Sequence, residues 1–217
     1  MTASRKLIGY LGAFLGCISL GLIGAPFAIQ LTRLCDYPNT IAGQICRGKV
    51  PQQVPENAWG NAGSVAYQTA AQLMAKKNAA PQELDEIQKY FLRPHFGDLV
   101  DRVQVVYNAQ LVDDWIAASF RIDVGHSNAQ VYGNRIYIKE AYKADDIQQL
   151  ILLAHELIHV RQYEELGSLE EFGYQYFQEY KRADQSYREN VFEQEAFAFE
   201  DEFEKWLEED MRQYDRY

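Results

Sequence analysis

Cysteine, histidine and clustered positive charge are what this sequence has least of. Its three cysteines, Cys17, Cys35 and Cys46, all lie before residue 47 of the 217. Neither a disulfide scaffold nor a cysteine-rich metal finger can therefore organise the rest of the chain. Charge is one-sided, with 21 Lys and Arg against 31 Asp and Glu and a formal net charge of −10. Phosphate backbones are bound by clustered Lys and Arg, so a nucleic-acid partner is excluded. The imbalance is concentrated in Glu164 to Tyr217, where 17 acidic residues face 6 basic ones, the pattern of solvated helical faces. Disorder is excluded as well, because 47% hydrophobic and 13% aromatic residues suffice for a core at this length.

Only four histidines occur, and two of them share the stretch Leu152-Leu153-Ala154-His155-Glu156-Leu157-Ile158-His159-Val160-Arg161-Gln162. On a helix, residues four apart lie one turn above each other on the same face, so His155 and His159 can present two imidazole nitrogens to one cation. Glu156, rotated by about 100° from His155, is a carboxylate beside the metal that need not bind it. It can instead take a proton from a zinc-bound water. The flanking residues predict the helix itself. Asp145 or Asp146 caps its start, Gly167 stops it, and Ile147, Leu150, Ile151, Ala154, Leu157 and Ile158 recur at helical spacing as an apolar face. Two histidines in a buried helix need partners for their ring nitrogens, and a metal ion serves both at once.

Ahead of this motif, Arg5 and Lys6 precede an uncharged apolar run over 7–32, long enough to cross a hydrocarbon core as one transmembrane helix. The positive pair places Met1 in the cytoplasm and the remainder on the extracytoplasmic side of a bacterial membrane, single-pass. Cleavage as a signal peptide, giving a secreted or periplasmic protein, is the alternative. The Gly12-Ala13-Phe14-Leu15-Gly16 step permits a homodimer through this helix. On an oxidising side Cys35 and Cys46 form a short disulfide loop, and Pro51, Pro55, Gly60 and Gly63 mark a linker. The chain thus divides into an anchor or signal segment over 1–34, a Cys-containing linker over 35–63 and a metal-binding domain over 64–217.

Within that domain, periodicity predicts a helix from Ser64 to about Lys77 and a second from Pro81 to before Pro94. Val103 to Tyr107 and Ile136 to Ile138 read as short strands of a small antiparallel sheet, whose edge could accept an extended peptide as one more strand. His95 and His126 stand in loops and read as structural. The aromatic residues crowded beyond Gly167 read as core. A catalytic zinc normally takes three protein ligands and leaves a fourth position for water. The third is sought in the carboxylate-rich helix read over Tyr187 to Leu207, where Glu193 and Glu200 share a side and Glu195 points elsewhere. Glu193 leads, with Glu195, Glu200 and Glu189 as alternatives. The small Ala196 lets the two helices approach.

Four pieces of this chain carry a family resemblance: Arg93-Pro94-His95-Phe96-Gly97-Asp98-Leu99-Val100-Asp101-Arg102-Val103, Gly133-Asn134-Arg135-Ile136-Tyr137-Ile138, the core from His155 to Gln162, and Tyr187-Arg188-Glu189-Asn190-Val191-Phe192-Glu193-Gln194-Glu195-Ala196. From about Pro81 to Phe203 the chain resembles the HExxH zinc metallopeptidase domain of the extracellular contractile injection system core type, long catalogued as a domain of unknown function. More broadly it is similar to the gluzincins, whose third ligand comes from a helix with a Glu-x-x-Ala pattern. That resemblance implies Glu193 as ligand and an α+β, zincin-like fold. The chain departs from many gluzincins in carrying Phe197 where they carry Asp, which leaves open the carboxylate that would orient a ligand histidine.

The function these readings predict is a membrane-tethered zinc-dependent hydrolase, in the first instance a metallopeptidase acting on a peptide or protein substrate. Zn2+ held by His155, His159 and Glu193 acidifies a water, and Glu156 is the general base. The competing reading is a catalytically inactive zincin-like docking module.

Overall fold

The computed structural model describes residues 37–46, 49–113, 127–144 and 146–214. A short helix, α1 (Ile41–Cys46), leads to α2 (Glu56–Lys77), then strand β1 (Gln82–Glu83) and helix α3 (Glu86–Phe96). A 3-10 turn over Gly97–Asp101 feeds β2 (Gln104–Val106). The hairpin β3 (Ala129–Tyr132) and β4 (Arg135–Ile138) follows, then three helices, α4 (Ile147–Leu166), α5 (Leu169–Arg182) and α6 (Val191–Tyr214).

Local chemistry sets the helix ends. Asp146 accepts hydrogen bonds from the Gln148 and Gln149 amides at the start of α4, and Gly167, at φ 83°, ends it in a left-handed turn whose amide bonds the Tyr163 carbonyl. The helix expected from Pro81 begins instead at α3, where Asp85 and Gln88 form a reciprocal capping box. It runs through Pro94 to Phe96, and residues 82 and 83 belong to β1. The helix expected from Ser64 begins eight residues earlier, at Glu56, because Pro55 suits a helix entry. Gly60 and Gly63 are therefore helical residues. They let α2 lie against α5: a Cβ on Gly63 would run into the Phe177 side chain, and one on Gly173 of α5 would stand 2.7 Å from Tyr67 Cβ.

The sheet order is β1-β2-β4-β3. β3 and β4 form an antiparallel hairpin across Gly133-Asn134, with Gly133 at φ 64°. β2 and β4, however, run parallel, with Val105 opposite Ile136. The sheet is mixed, which corrects the antiparallel expectation. The chain between β2 and β4 carries β3 out to the far edge before the hairpin returns, so β4 comes in beside β2 in the same direction. β3, Ala129-Gln130-Val131-Tyr132, is a strand beyond the two that the sequence predicts.

Two cores flank the sheet. One holds Leu92, Val100, Ile136, Ala154, Leu157, Ala196 and Phe203, joining α3 and the sheet to α4 and α6. The other holds Tyr67, Ala70, Tyr132, Phe172, Tyr176 and Phe177, joining α2 and α5 to β3. The candidate site lies between them.

A second correction concerns the membrane. The apolar run over 7–32 and the glycine step within it lie outside the described residues. Among the described residues no helix is long and apolar enough to cross a membrane. The long helix α6 carries charges along its length, α2 is interrupted by polar Asn57, Asn61, Gln68 and Gln72 between its charged ends, and the apolar residues of α4 are spent on the two cores. The fold is α+β with a small mixed sheet, and among the described residues neither a transmembrane helix nor the single-pass extracytoplasmic placement finds support. The Cys35–Cys46 pairing and His126 also lie outside the described residues and side chains.

Candidate metal centre

His155, Glu156 and His159 sit in the middle of α4, on turns covered by the sheet on one side and α6 on the other, and all three are buried. One helical turn separates the two histidines, so their rings stand 5.1 Å apart, edge to face, with both Nε2 atoms turned the same way. They point at Glu193. Its Oε2 lies 3.5 Å from His155 Nε2 and 3.4 Å from His159 Nε2.

Glu193 stands there because of how α6 begins. Asn190, fully buried, caps the helix by accepting from the Phe192 amide at 3.1 Å and donates its own Nδ2 to the Tyr176 carbonyl at 3.2 Å. Glu193 follows in the first turn, where the helix dipole favours a carboxylate. Tyr176 of α5 donates its hydroxyl to Glu193 Oε1 at 2.7 Å, so one oxygen is held and the other is free. That other oxygen, Oε2, is buried without a hydrogen-bond partner.

An orphaned buried carboxylate oxygen costs stability unless something positive meets it. His155, His159 and Glu193 each offer one ligand atom within 4.8 Å of the others, a set that can hold a metal ion. Two imidazole nitrogens and one carboxylate oxygen are a donor set that suits a divalent transition metal.

The atoms behind the ligands are equally ordered. His155 Nδ1 meets Glu200 Oε2 at 3.0 Å, and His159 Nδ1 meets Gln162 Oε1 at 2.9 Å. Such partners fix which ring nitrogen carries the proton and leave Nε2 as the ligand atom. Gln162 is itself held, donating to the Phe192 carbonyl at 3.0 Å and to Glu195 Oε2 at 2.9 Å. Glu200, two turns beyond Glu193, is the carboxylate that the Asp-to-Phe departure at 197 left open. Phe197 instead packs edge-on to the His155 ring at 4.9 Å. Among the other carboxylates weighed as ligands, Glu195 faces Arg161 at 2.9 Å and Glu189 is exposed.

Electrostatics follow the burial. Burial lifts the Glu156 carboxyl above its ordinary value, against the pull of the two imidazoles. Burial pulls His155 down, but the Glu193 and Glu200 carboxylates outweigh it and hold the ring up at about 10. Burial would raise Glu193, yet His159 and His155 hold it well below the usual carboxylate range. Protonated histidines and a cation here are competitors for the same negative charge.

Tyr67, Gln130, Tyr132, Glu156, His159, Phe172, Tyr176, Tyr187 and Glu193 line a pocket at this centre. The sequence gives Gln162 and Asn190 no role and reads Tyr176 as core, while Tyr187 and Arg161 stand in it as candidate oxyanion donors, with packing or a surface ion pair as the competing role for each. Tyr187 is half-buried beside Glu193, and burial, then the Glu193 charge, pushes its phenol well up, so it stays protonated. Arg161 is paired with Glu195 and is absent from that wall. His95 lies on the far side, edge-on to Trp206 at 4.7 Å and to Phe203 at 5.3 Å, an aromatic surrounding and no ligand site.

A family model matches part of the chain. Among curated proteins and among solved structures, nothing matches the chain. The matched segment runs from the end of β1 to the glycine that stops α4, so it contains His155, Glu156 and His159, while Tyr176, Glu193 and Glu200 lie beyond it. Residues 83–167 of this chain match the family model of the eCIS core domain.

Proposed function

We propose that the protein is a zinc-dependent hydrolase, a metallopeptidase in which His155, His159 and Glu193 hold the ion and Glu156 is the general base. The observation that carries this reading is the buried, unpartnered Oε2 of Glu193 facing two imidazole nitrogens at 3.4 and 3.5 Å. Zinc, when bound, supplies the positive charge that acidifies a water and polarises a carbonyl.

Every further part of the chemistry belongs to the chain. Glu156 opens onto the same pocket as His159 and Glu193 without belonging to the ligand set. Its raised carboxyl is suited to take a proton from water near neutral pH and to pass it on to a leaving amine. The Tyr187 phenol, protonated and on the pocket wall, is a donor for negative charge developing on a substrate carbonyl oxygen. Glu200 and Gln162 keep the imidazoles oriented. Among the described residues three ligands form the set and no cysteine joins it, which favours an open catalytic site over a closed structural one.

The test is cleavage of a mixed peptide pool read by mass spectrometry. Cutting that disappears with a chelator and returns with one equivalent of zinc supports the reading. A pool left intact by zinc-loaded protein would sink it in favour of the docking-module alternative.

A further inference from the structure

The walls around the ligand trio are better fixed than metal binding alone requires. The cavity they leave measures about 50 Å³. A single water needs a cavity of about 10–15 Å³ on this measure, whereas an apolar cavity that admits benzene measures about 150 Å³. The pocket opens to solvent on one side, and its inner end, beside Glu156, His159 and Glu193, suits a methyl-sized group and is too small for a phenyl ring or an isobutyl branch.

A small cavity can still open if its walls are loose, and these are not. Tyr67 donates its hydroxyl to the Val131 carbonyl at 2.6 Å. Tyr132 donates to Gln130 Oε1 at 3.3 Å and Tyr176 to Glu193 Oε1 at 2.7 Å. Phe172 lies between them, stacked on Tyr176 at 5.8 Å and packed on Tyr67 at 5.1 Å. Tyr67 has no space to retreat into, because Gly173 of α5 already sits so close that one added carbon would meet its Cβ at 2.7 Å.

The strand edge sharpens the point. Lys139 donates to the Asn128 carbonyl and Tyr132 pairs with Arg135, so in the alternating antiparallel ladder Ala129 and Val131 turn their backbone groups away from β4. Tyr67 takes the outward carbonyl of Val131, and among the described residues the Ala129 end of that edge is left for an added strand.

We infer that this cavity is a size-limited side-chain subsite, which admits glycine, alanine or serine of an extended peptide beside the metal centre, and that Tyr67 and Phe172 set the limit. This inference rests on the metallopeptidase reading for its occupant, but its size selectivity can be measured without turnover. Zinc-loaded protein is titrated calorimetrically with alanine hydroxamate and with phenylalanine hydroxamate, which both bind zinc through the same group. The alanine compound binds at least tenfold more tightly to the parent protein. In Phe172→Leu that preference falls at least threefold. Tyr67→Phe keeps the ring and removes only its bond to Val131, which guards against loss of folding, and it lowers the preference in the same direction. Equal or tighter binding of the phenylalanine compound by the parent, or binding of neither, overturns the inference. Size-selective binding with no peptide cleaved supports the subsite and overturns the hydrolase reading; cleavage without size selectivity does the reverse.

Discussion

Glu200 Oε2 lies 3.0 Å from His155 Nδ1, on the side of the ring opposite Glu193. One helix, α6, therefore supplies both the carboxylate that completes the ligand set and the carboxylate that aims one of the other ligands. Residues in that orienting role typically change metal affinity by about 10- to 100-fold when lost. Glu200→Gln is expected to weaken zinc binding by that order while the protein stays folded, as measured by competition with a chromophoric chelator.

Tyr176→Phe removes the hydrogen bond that holds Glu193 Oε1. A buried carboxylate oxygen left without its donor costs about 1–3 kcal/mol. Denaturant unfolding of the metal-free protein should show a loss in that range, and zinc should bind less tightly because the third ligand is no longer held. An unchanged midpoint would show that the hydroxyl does not hold Glu193.

The metal-free protein should carry a pH signature of the centre. His155 is held at about 10, above the ordinary value of about 6.5 for an unfolded chain. A raised folded-state value contributes stability that is fully present below the unfolded value and is lost as pH rises through the folded one. Thermal stability without zinc is therefore expected to fall between roughly pH 6.5 and 10. With zinc bound the histidines are deprotonated ligands, so the fall should vanish, and zinc affinity should instead drop as the solution is acidified. A metal-free stability that rises across this window contradicts the charge arrangement described for the centre.

How far the sequence foretold this arrangement depends on how local each feature is. His155, Glu156 and His159 were legible because their spacing equals a helical turn, and the stop at Gly167 because only a left-handed position needs that residue there. Glu200 was visible as a carboxylate on the Glu193 side of its helix, but its role depends on how α6 crosses α4, which no spacing encodes. Tyr176 was hidden among the aromatic residues crowded beyond Gly167, which read as core. β3 escaped notice because Ala129-Gln130-Val131-Tyr132 is short and has a single β-branched residue, and the parallel pairing of β2 with β4 is a matter of topology.

The glycines of α2 show the same limit from the other direction. Gly60 and Gly63 read as linker residues, yet in the helix they are points of contact with α5. Gly63→Ala would drive a carbon into the Phe177 side chain. Overpacking of this kind costs about 1–3 kcal/mol, so the melting temperature should fall despite the better helix propensity of alanine. A rise would mean that α2 and α5 pack less closely than described.

The central claim, that a buried trio holds zinc while Glu156 performs proton transfer beside it, meets its most direct test in one variant. Zinc content and peptide cleavage are measured together for the parent protein and for Glu156→Gln. The expected result is one zinc per chain in both, with cleavage reduced at least about a hundredfold in the variant, the scale of a lost general base. Absence of zinc from the parent, or a variant that cleaves as fast as the parent, would contradict the account.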